Sequence, residues 1–389
     1  MDFEHRCWAE VDLDRLSQNF RKIKAAAAGA AVAAVVKADA YGHGDKAVCR
    51  ALAAEGADWF AVSNLEEALR VRSFGLSHPI LILGYTPPCH AAQLSRMDIV
   101  QAVYGAEYAR ALSQSAEKAG CTVRMHIKLD TGMGRIGFSA TQGAEAAAAE
   151  IAAACGLPCL RAEGLFTHFA VADSASPDDQ SYTEKQYGLL LQTVEALKKL
   201  GVSLPLIHCS NSAALFAYPA MRLDMVRPGI VLYGCAPSSD VACPGLLPVL
   251  QLKAAVSLVK TLKAGQCVSY GRIFTAAQDM TVATVTCGYA DGYPRSLSNK
   301  GVASVKGRPA PVIGRVCMDQ LLIDISGIPG VRQGDTVTLY GDAPADTVTE
   351  AAEKTGTINY ELLCHLSRRV PRVYLRGGKV AEVQNYLEV

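Results

Sequence analysis

Short apolar runs alternate with helix-like stretches between residues 11 and 243. The apolar runs, many of them β-branched, are Ala33–Val36, Trp59–Val62, Ile80–Leu83, Ile99–Val103, Val123–Leu129, Gly164–His168, Pro205–His208 and Leu223–Val226. The helix-like stretches are Asp12–Ala28, Asp45–Ala54, Leu65–Ser73, Ala106–Ala119, Ala144–Ala154, Asp178–Leu200 and Asn211–Ala217. Eight strands alternating with helices over about 230 residues predict an α/β fold, an eight-stranded (β/α)8 TIM barrel. A doubly wound open sheet is the main competing fold.

The pattern changes after Pro244, where apolar runs follow one another closely with few helices between them. These runs are Leu252–Val259, Thr281–Thr286, Val316–Ile325, Thr336–Leu339 and Val370–Leu375. Gly, Pro and Asp separate them, as is typical of β-rich domains. Short helices are predicted at Val348–Thr355 and after Tyr360. The sequence therefore predicts a barrel over 11–243 and a mostly β C-terminal domain over 244–389.

The composition narrows the function classes. The chain has 389 residues, half of them apolar, and its 38 basic and 37 acidic residues leave a net charge of +1. This balance argues against a nucleic-acid-binding surface, which needs clustered Lys and Arg. No apolar stretch reaches the ~18 residues that a membrane span requires. The thirteen cysteines include no C-x-x-C pair, and with no signal-peptide core at the N-terminus this predicts reduced thiols in the cytoplasm.

Lys37 ends the first apolar run of the predicted barrel, where active-site residues of TIM barrels lie. It is either an edge lysine whose amine reaches water or a partly desolvated amine that forms a Schiff base. Tyr41 follows in a Gly-flanked turn. Its phenol either packs or donates to a phosphate.

The segment KLDTGMGRIGF contains Gly132, Gly134 and Gly137, the spacing of a dinucleotide-binding loop. Such a loop requires a helix that begins within the motif, but here the next helix is predicted only near residue 143. We therefore interpret the segment as a glycine loop that carries Arg135 to an anionic ligand.

Other polar residues follow the later strands. His168 could be a buried strand-end histidine or could form a metal pair with His208, but no third ligand has suitable spacing, so no metal site is expected. Asn211 and Ser212 lie at a predicted helix N-terminus, either as an ordinary cap or as phosphate ligands. Arg227 precedes Gly229 and Ile230, whose backbone, together with the Ser212 region, matches the usual phosphate site of TIM barrels after strands seven and eight.

The chain closely resembles the alanine racemase family in the motifs AVVKADAYGHG, KLDTGMGRIGF, THFA, NSAA, VRPGIVLYG, VSYG, GYADGYPR, GRVCMDQ and INYE. The resemblance implies that Lys37 carries pyridoxal 5′-phosphate (PLP) as an aldimine and that residues 1–10 form a strand pairing with the C-terminal domain. His168 would pack on the pyridine ring, Arg135 would bond its hydroxyl, and Arg227 would face its nitrogen. Lys128 would be a carbamate that orients Arg135. The remaining implied cofactor contacts are Tyr41, Asn211, Ser212, Gly229, Ile230 and Tyr360.

The resemblance also implies a head-to-tail homodimer with shared active sites. The partner would contribute Tyr270 together with the substrate-binding residues Tyr289, Cys317, Met318 and Asp319, while Arg135 would bind substrate from its own chain. Lys37 would act on the D-alanine face and Tyr270 on the L-alanine face of a planar intermediate. The implied role is the supply of D-alanine for peptidoglycan.

Four alternatives remain at the level of sequence. A PLP-dependent racemase acting mainly on serine is the first alternative, although Tyr360 in INYE favours alanine. A PLP-dependent amino-acid decarboxylase of the same fold would have an acidic residue in place of Arg227. A non-catalytic PLP carrier would lack the second domain, and a cofactor-free Schiff-base aldolase would show no visible absorption band.

Overall fold

A computed structural model describes residues 5–388 of the chain. The chain divides into two compact units. The first, here called the barrel unit, comprises residues 17–38 and 45–246, and the second, the β unit, comprises residues 5–16, 39–44 and 247–388. Within the described residues, no helix combines the length and the apolar character needed to cross a bilayer.

The barrel unit is built on eight parallel strands. The first two elements of the chain are β1 (Cys7–Asp12) and α1 (Leu13–Ala27). The strands that follow are β2 (Ala31–Val35), β3 (Trp59–Val62), β4 (Ile80–Ile82), β5 (Ile99–Val103), β6 (Val123–Asp130), β7 (Phe138–Ser139), β8 (Leu160–Phe166), β9 (Leu206–His208) and β10 (Met225–Val226). The helices are α2 (Lys37–Tyr41), α3 (Asp45–Ala54), α4 (Leu65–Ser73), α5 (Ala91–Arg96), α6 (Ala106–Lys118), α7 (Ala144–Cys155), α8 (Pro177–Lys199) and α9 (Ser212–Ala217).

The eight strands pair in the order β10-β2-β3-β4-β5-β6-β8-β9, and the two-residue β7 pairs with β6 beside this path. The two ends of the path are joined by backbone hydrogen bonds from Asp224 N–H to the Ile207 carbonyl (3.1 Å) and from Arg227 N–H to the Ser210 carbonyl (2.9 Å). The predicted (β/α)8 barrel is thereby confirmed, and the open sheet is excluded.

Apolar side chains from five strands fill one layer of the barrel interior. Ala33, Trp59, Leu81, Val100 and Met225 form a buried cluster, one residue each from β2, β3, β4, β5 and β10. Strands of a closed parallel barrel are covered on both faces, which explains why they appear in the sequence as continuous apolar runs.

The β unit contains a nine-stranded sheet and two short helices. Its further strands are β11 (Leu250–Leu262), β12 (Cys267–Val268), β13 (Phe274–Thr275), β14 (Met280–Val285), β15 (Val302–Val305), β16 (Arg308–Ile313), β17 (Leu321–Asp324), β18 (Thr336–Tyr340), β19 (Arg372–Arg376) and β20 (Lys379–Gln384). The helices are α10 (Val348–Thr355), which begins with a capping box between Thr347 and Glu350, and α11 (Asn359–Cys364). β1 pairs antiparallel to β11 and parallel to β19, while residues 1–4 of the predicted N-terminal strand lie outside the described residues.

Several predicted strands have different bounds in the structure, and two of them show why. The run Val316–Ile325 contains a strand only at Leu321–Asp324, because Cys317 N–H bonds the Gln320 carbonyl (2.9 Å) and forms a turn. The run Gly164–His168 lies on a strand that begins at Leu160 and ends at Phe166. His168 therefore lies two residues beyond the strand, in the loop at its carboxyl end.

Candidate active site

Lys37 lies two residues after the carboxyl end of β2 and opens a left-handed helical turn. The next four residues, Ala38 to Tyr41, have φ between +53° and +55°. For non-glycine residues this conformation costs about 1–2 kcal/mol each. The Glu67 side chain holds the start of the turn, since its Oε1 accepts from Ala38 N–H at 2.7 Å while its Oε2 accepts from the Ser63 backbone and hydroxyl, both at 2.8 Å.

The end of this turn belongs to the β unit, where Tyr41 lies beside Tyr360. Their ring centroids are 6.1 Å apart and tilted by 50°. Gly42 has φ +79°, and a Cβ there would collide with the Leu363 carbonyl, so the backbone passes α11 closely only because this residue is glycine. The structure thus brings the two predicted phosphate-binding tyrosines together.

The glycine loop after β6 is shaped by Asp130. Its Oδ1 accepts from the N–H groups of Gly132 and Gly134, both at 3.0 Å. No helix begins within the motif, since the loop is followed by β7 and then by α7 from Ala144. The rejection of a dinucleotide-binding loop is confirmed, and the loop presents Arg135 with an exposed side chain.

Arg227 is buried beneath the carboxyl-end rim of the barrel and forms hydrogen bonds through both of its terminal nitrogens. Its Nη2 donates to the carbonyls of Thr167 (2.7 Å) and Cys209 (3.1 Å), and its Nη1 donates to His208 Nδ1 (2.8 Å). Burial lowers the pKa of Arg227 to about 10, which leaves the guanidinium protonated at neutral pH. The residue is a fixed cation with a fixed orientation.

Four basic residues influence His168. Its Nδ1 lies 3.4 Å from Arg227 Nη2. Burial and the positive charges of Arg227, Lys128, Arg135 and Lys37 together lower the pKa of His168 well below its usual value. The structure therefore gathers four basic residues around one neutral imidazole, an environment that favours an anionic, planar ligand.

Lys128 lies on β6 inside this cluster. Its Nζ donates to the Leu129 carbonyl at 2.7 Å and lies 5.6 Å from the centre of the Phe166 ring. Burial first, and then repulsion from Arg227, lower the pKa of Lys128 to about 7. A large fraction of this amine is therefore neutral near neutral pH.

The predicted phosphate-binding backbone segments also meet within the barrel unit. Asn211 caps α9, with its Oδ1 accepting from Ala214 N–H at 2.9 Å, and Ser212 is the first helical residue. The Ser212 hydroxyl accepts from Gly229 N–H at 2.8 Å, and a 3-10 turn begins at Ile230. First-turn N–H groups lack helical acceptors, so the two adjacent turns offer several donors to an anion.

The remaining predicted residues lie together in the β unit. Tyr289 N–H bonds the Cys317 carbonyl at 3.0 Å, and Cys317 Sγ lies 3.3 Å from Ser269 Oγ, next to Tyr270. Met318 is half exposed, and Asp319 is ion-paired with Arg369. The Tyr270 side chain is 71% exposed, in a backbone with positive φ at Ser269, Gly271 and Arg272.

Three residues near the site were missed or misjudged in the sequence. His208 was considered only as a metal ligand, whereas it accepts a hydrogen bond from Arg227. His126 bonds His208 in turn, and Glu67 holds the backbone after Lys37. The sequence offers only a weak signal for them, namely polar residues interrupting apolar strands or following an N-cap.

Comparison with known proteins agrees with this geometry. Residues 11–237 match the family model described as "Alanine racemase, N-terminal domain", and residues 249–374 match "Alanine racemase, C-terminal domain". A curated alanine racemase of Desulfovibrio desulfuricans is 44% identical over 96% of this chain and 100% of its own length. One of Clostridium tetani is 41% identical over 98% of each chain.

Solved structures give the same result. An alanine racemase of Clostridium difficile superposes with a TM-score of 0.94 at 38% identity and full coverage of both chains. An alanine racemase of Bacillus anthracis with bound L-Ala-P superposes with a TM-score of 0.91 at 36% identity, covering 100% of this chain and 99% of its own. Both domains and both kinds of comparison point to one assignment, and the chain belongs to the alanine racemase family.

Proposed function

We propose that this chain interconverts L-alanine and D-alanine with PLP held on Lys37. The observation that carries this proposal is the group of four basic residues around His168, one of which, Lys37, stands at a strand end where an amine can bind an aldehyde covalently. The names of the relatives supply the reaction and the substrate.

The chemistry of the donors fits PLP. A phosphate dianion suits the N–H groups at Ser212 and Ile230 and the phenols of Tyr41 and Tyr360. A phenolate oxygen suits Arg135, and a flat ring suits the neutral face of His168. We infer that Asn211 and Gly229 shape this phosphate site, since the first caps α9 and the second bonds Ser212.

Arg227 would determine the protonation state of the PLP ring nitrogen. When bound, PLP withdraws electron density from the substrate Cα and makes its proton more acidic. A guanidinium stays protonated and can only donate, so Arg227 would keep the ring nitrogen of bound PLP unprotonated and would moderate that withdrawal. An acidic residue, which a decarboxylase of this fold would place here, would do the opposite.

Inversion at Cα needs one proton-transfer group on each side of the substrate. We propose Lys37 for the D-alanine side and Tyr270, from the partner of a head-to-tail homodimer, for the L-alanine side. The exposure of Tyr270, Tyr289 and Met318 supports this arrangement because these side chains are available to a second chain. Met318 and Cys317 would bind the substrate, Tyr289 would narrow the entrance, and Asp319 would stand beside them.

The proposed reaction is tested by incubating the purified protein, loaded with PLP, with L-alanine in heavy water. We expect D-alanine carrying deuterium at Cα, because the proton removed on one side is replaced from solvent on the other. L-Serine under the same conditions tests the substrate preference, and carbon dioxide release tests for decarboxylation. Deuterium uptake without any D-alanine would contradict the two-base assignment.

We further propose that Lys128 is carbamylated and orients Arg135. A neutral amine adds carbon dioxide to give a carbamate and a proton, and the lowered pKa of about 7 keeps the Lys128 amine largely neutral above that pH. With 13C-bicarbonate, we expect a carbamate signal in the 13C NMR spectrum that grows as the pH rises through 7 and disappears in Lys128→Ala. The exposed Lys118→Ala is the matched control and should retain the signal. A signal that survives Lys128→Ala would refute the assignment.

The cellular role is also proposed from the family resemblance. We propose that the enzyme works in the cytoplasm and supplies D-alanine for peptidoglycan. The thirteen cysteines, all present as free thiols, support a reducing compartment. Growth of a deletion strain that requires added D-alanine would test this role, and unaffected growth without it would contradict it.

A further inference from the structure

A chain of hydrogen bonds runs from Arg227 into the barrel interior through two buried histidines. Arg227 Nη1 lies 2.8 Å from His208 Nδ1, and His208 Nε2 lies 3.0 Å from His126 Nδ1. Both imidazoles are fully buried. All three residues belong to the barrel unit, on or beside β6, β9 and β10.

The guanidinium fixes the direction of every bond in this chain. Arginine has donors only, so His208 Nδ1 must be an acceptor without a proton. His208 then carries its proton on Nε2 and donates it to His126 Nδ1. Burial lowers the pKa of His208 well below its usual value and that of His126 to about 4, which agrees with two neutral rings beside a cation.

Gly164 on β8, the strand next to β6, leaves room for the His126 ring. A Cβ on Gly164 would lie 2.8 Å from the His126 ring, which is closer than carbon atoms pack. The register between β6 and β8 shifts between Met125 and His126, and the Trp59 ring packs against the His126 ring with 5.3 Å between centroids. Within the described residues His126 Nε2 has no hydrogen-bond partner. The ring of His126 therefore forms its hydrogen bond through Nδ1.

We propose that His126 is a positioning residue that selects the Nε2–H form of His208 and thereby holds the Arg227 guanidinium in place. Without an acceptor at His126, the His208 Nε2–H is buried and unpaired, and His208 relieves this by moving its proton or turning its ring. Either change removes the acceptor for Arg227 Nη1. The consequence for catalysis rests on the proposed function, whereas the protonation pattern of His208 does not.

Two substitutions separate the hydrogen bond from the packing. His126→Leu fills the space but accepts nothing, whereas His126→Asn retains an acceptor at the place of Nδ1. Gly164→Ala displaces the His126 ring while keeping the imidazole, so it perturbs the same bond from a different residue. We expect His126→Leu and Gly164→Ala to change the protonation pattern of His208 in the same way. His126→Asn should keep the native pattern.

The primary measurement is two-dimensional 15N–1H NMR of the imidazole nitrogens in the full chain labelled at its eight histidines. His208 is assigned by the signals lost in His208→Gln. We expect a protonated Nε2 and a bare Nδ1 in the native protein and in His126→Asn, and a mixture of forms in His126→Leu. A native His208 protonated on Nδ1, or on both nitrogens, would overturn the proposal, and this result requires no variant to fold.

Racemisation by the PLP-loaded protein gives the second measurement. We expect kcat to fall about tenfold in His126→Leu and to stay within about twofold of native in His126→Asn. An unchanged His208 signal with native kcat in His126→Leu would refute the positioning role while leaving the proposed function intact. Failure of the native protein to form D-alanine would refute the proposed function instead, and the NMR result would still decide the role of His126.

Discussion

Lys37→Ala is expected to lower racemisation by at least about 10,000-fold in both directions. The variant would lose the group proposed to bind PLP covalently and also the proposed proton-transfer group on the D-alanine side. The native protein should show a visible absorption band, and borohydride reduction followed by peptide mass mapping should place the modification on Lys37. Both signals should be absent from the variant.

Lys118→Ala is the control for Lys37→Ala. Lys118 lies in the last turn of α6 with an exposed side chain, so its loss removes an equal charge without touching the site. This variant should retain the absorption band and the native rate. If the modified peptide from the native protein did not contain residue 37, the assignment of Lys37 would be wrong.

Tyr270→Phe is expected to lower racemisation by about 1,000-fold, again in both directions, because inversion needs both proton-transfer groups. The two enantiomers should nevertheless behave differently in heavy water. D-Alanine should still exchange its Cα proton, since Lys37 remains, whereas L-alanine should exchange much more slowly. Proton NMR of the Cα signal measures both rates in one experiment.

Tyr85→Phe provides the matched control, since Tyr85 is another exposed tyrosine, 59% accessible, that belongs to the barrel unit. It should leave both exchange rates at their native values. Equal loss of exchange for the two enantiomers in Tyr270→Phe would show that the phenol does not act on one side only. The opposite preference is expected in Lys37→Ala with added amines, where L-alanine should exchange its Cα proton faster than D-alanine.

The alternation of apolar runs with helices was sufficient to predict the barrel. Parallel strands covered on both faces appear in the sequence as continuous apolar runs that recur between helices. Most predicted strands lie within two or three residues of their observed bounds. The C-terminal domain was harder, since β15 and β16 form a hairpin at Val302–Ile313 where no run was predicted. Both strands carry polar or proline residues, which weaken the apolar signal.

Some residues of the candidate site could be predicted from the sequence, and others could not. Strand-end positions predicted Lys37 and Arg227, because a barrel brings its carboxyl ends together. His126 could not be predicted as part of the site, because a histidine inside an apolar strand carries no information about its neighbour across the barrel. The resemblance to a family supplied Tyr270 and the other residues of the β unit, which spacing alone does not connect to the barrel.

The left-handed turn after Lys37 bears on how the protein reaches its active form. An isolated peptide of L-residues does not hold four successive left-handed conformations, so this segment cannot act as an early nucleus. It can be retained only after its surroundings exist, including the Glu67 carboxylate that binds Ala38 N–H. We therefore expect the Lys37 amine, the proposed attachment point of the cofactor, to reach its final direction late in folding.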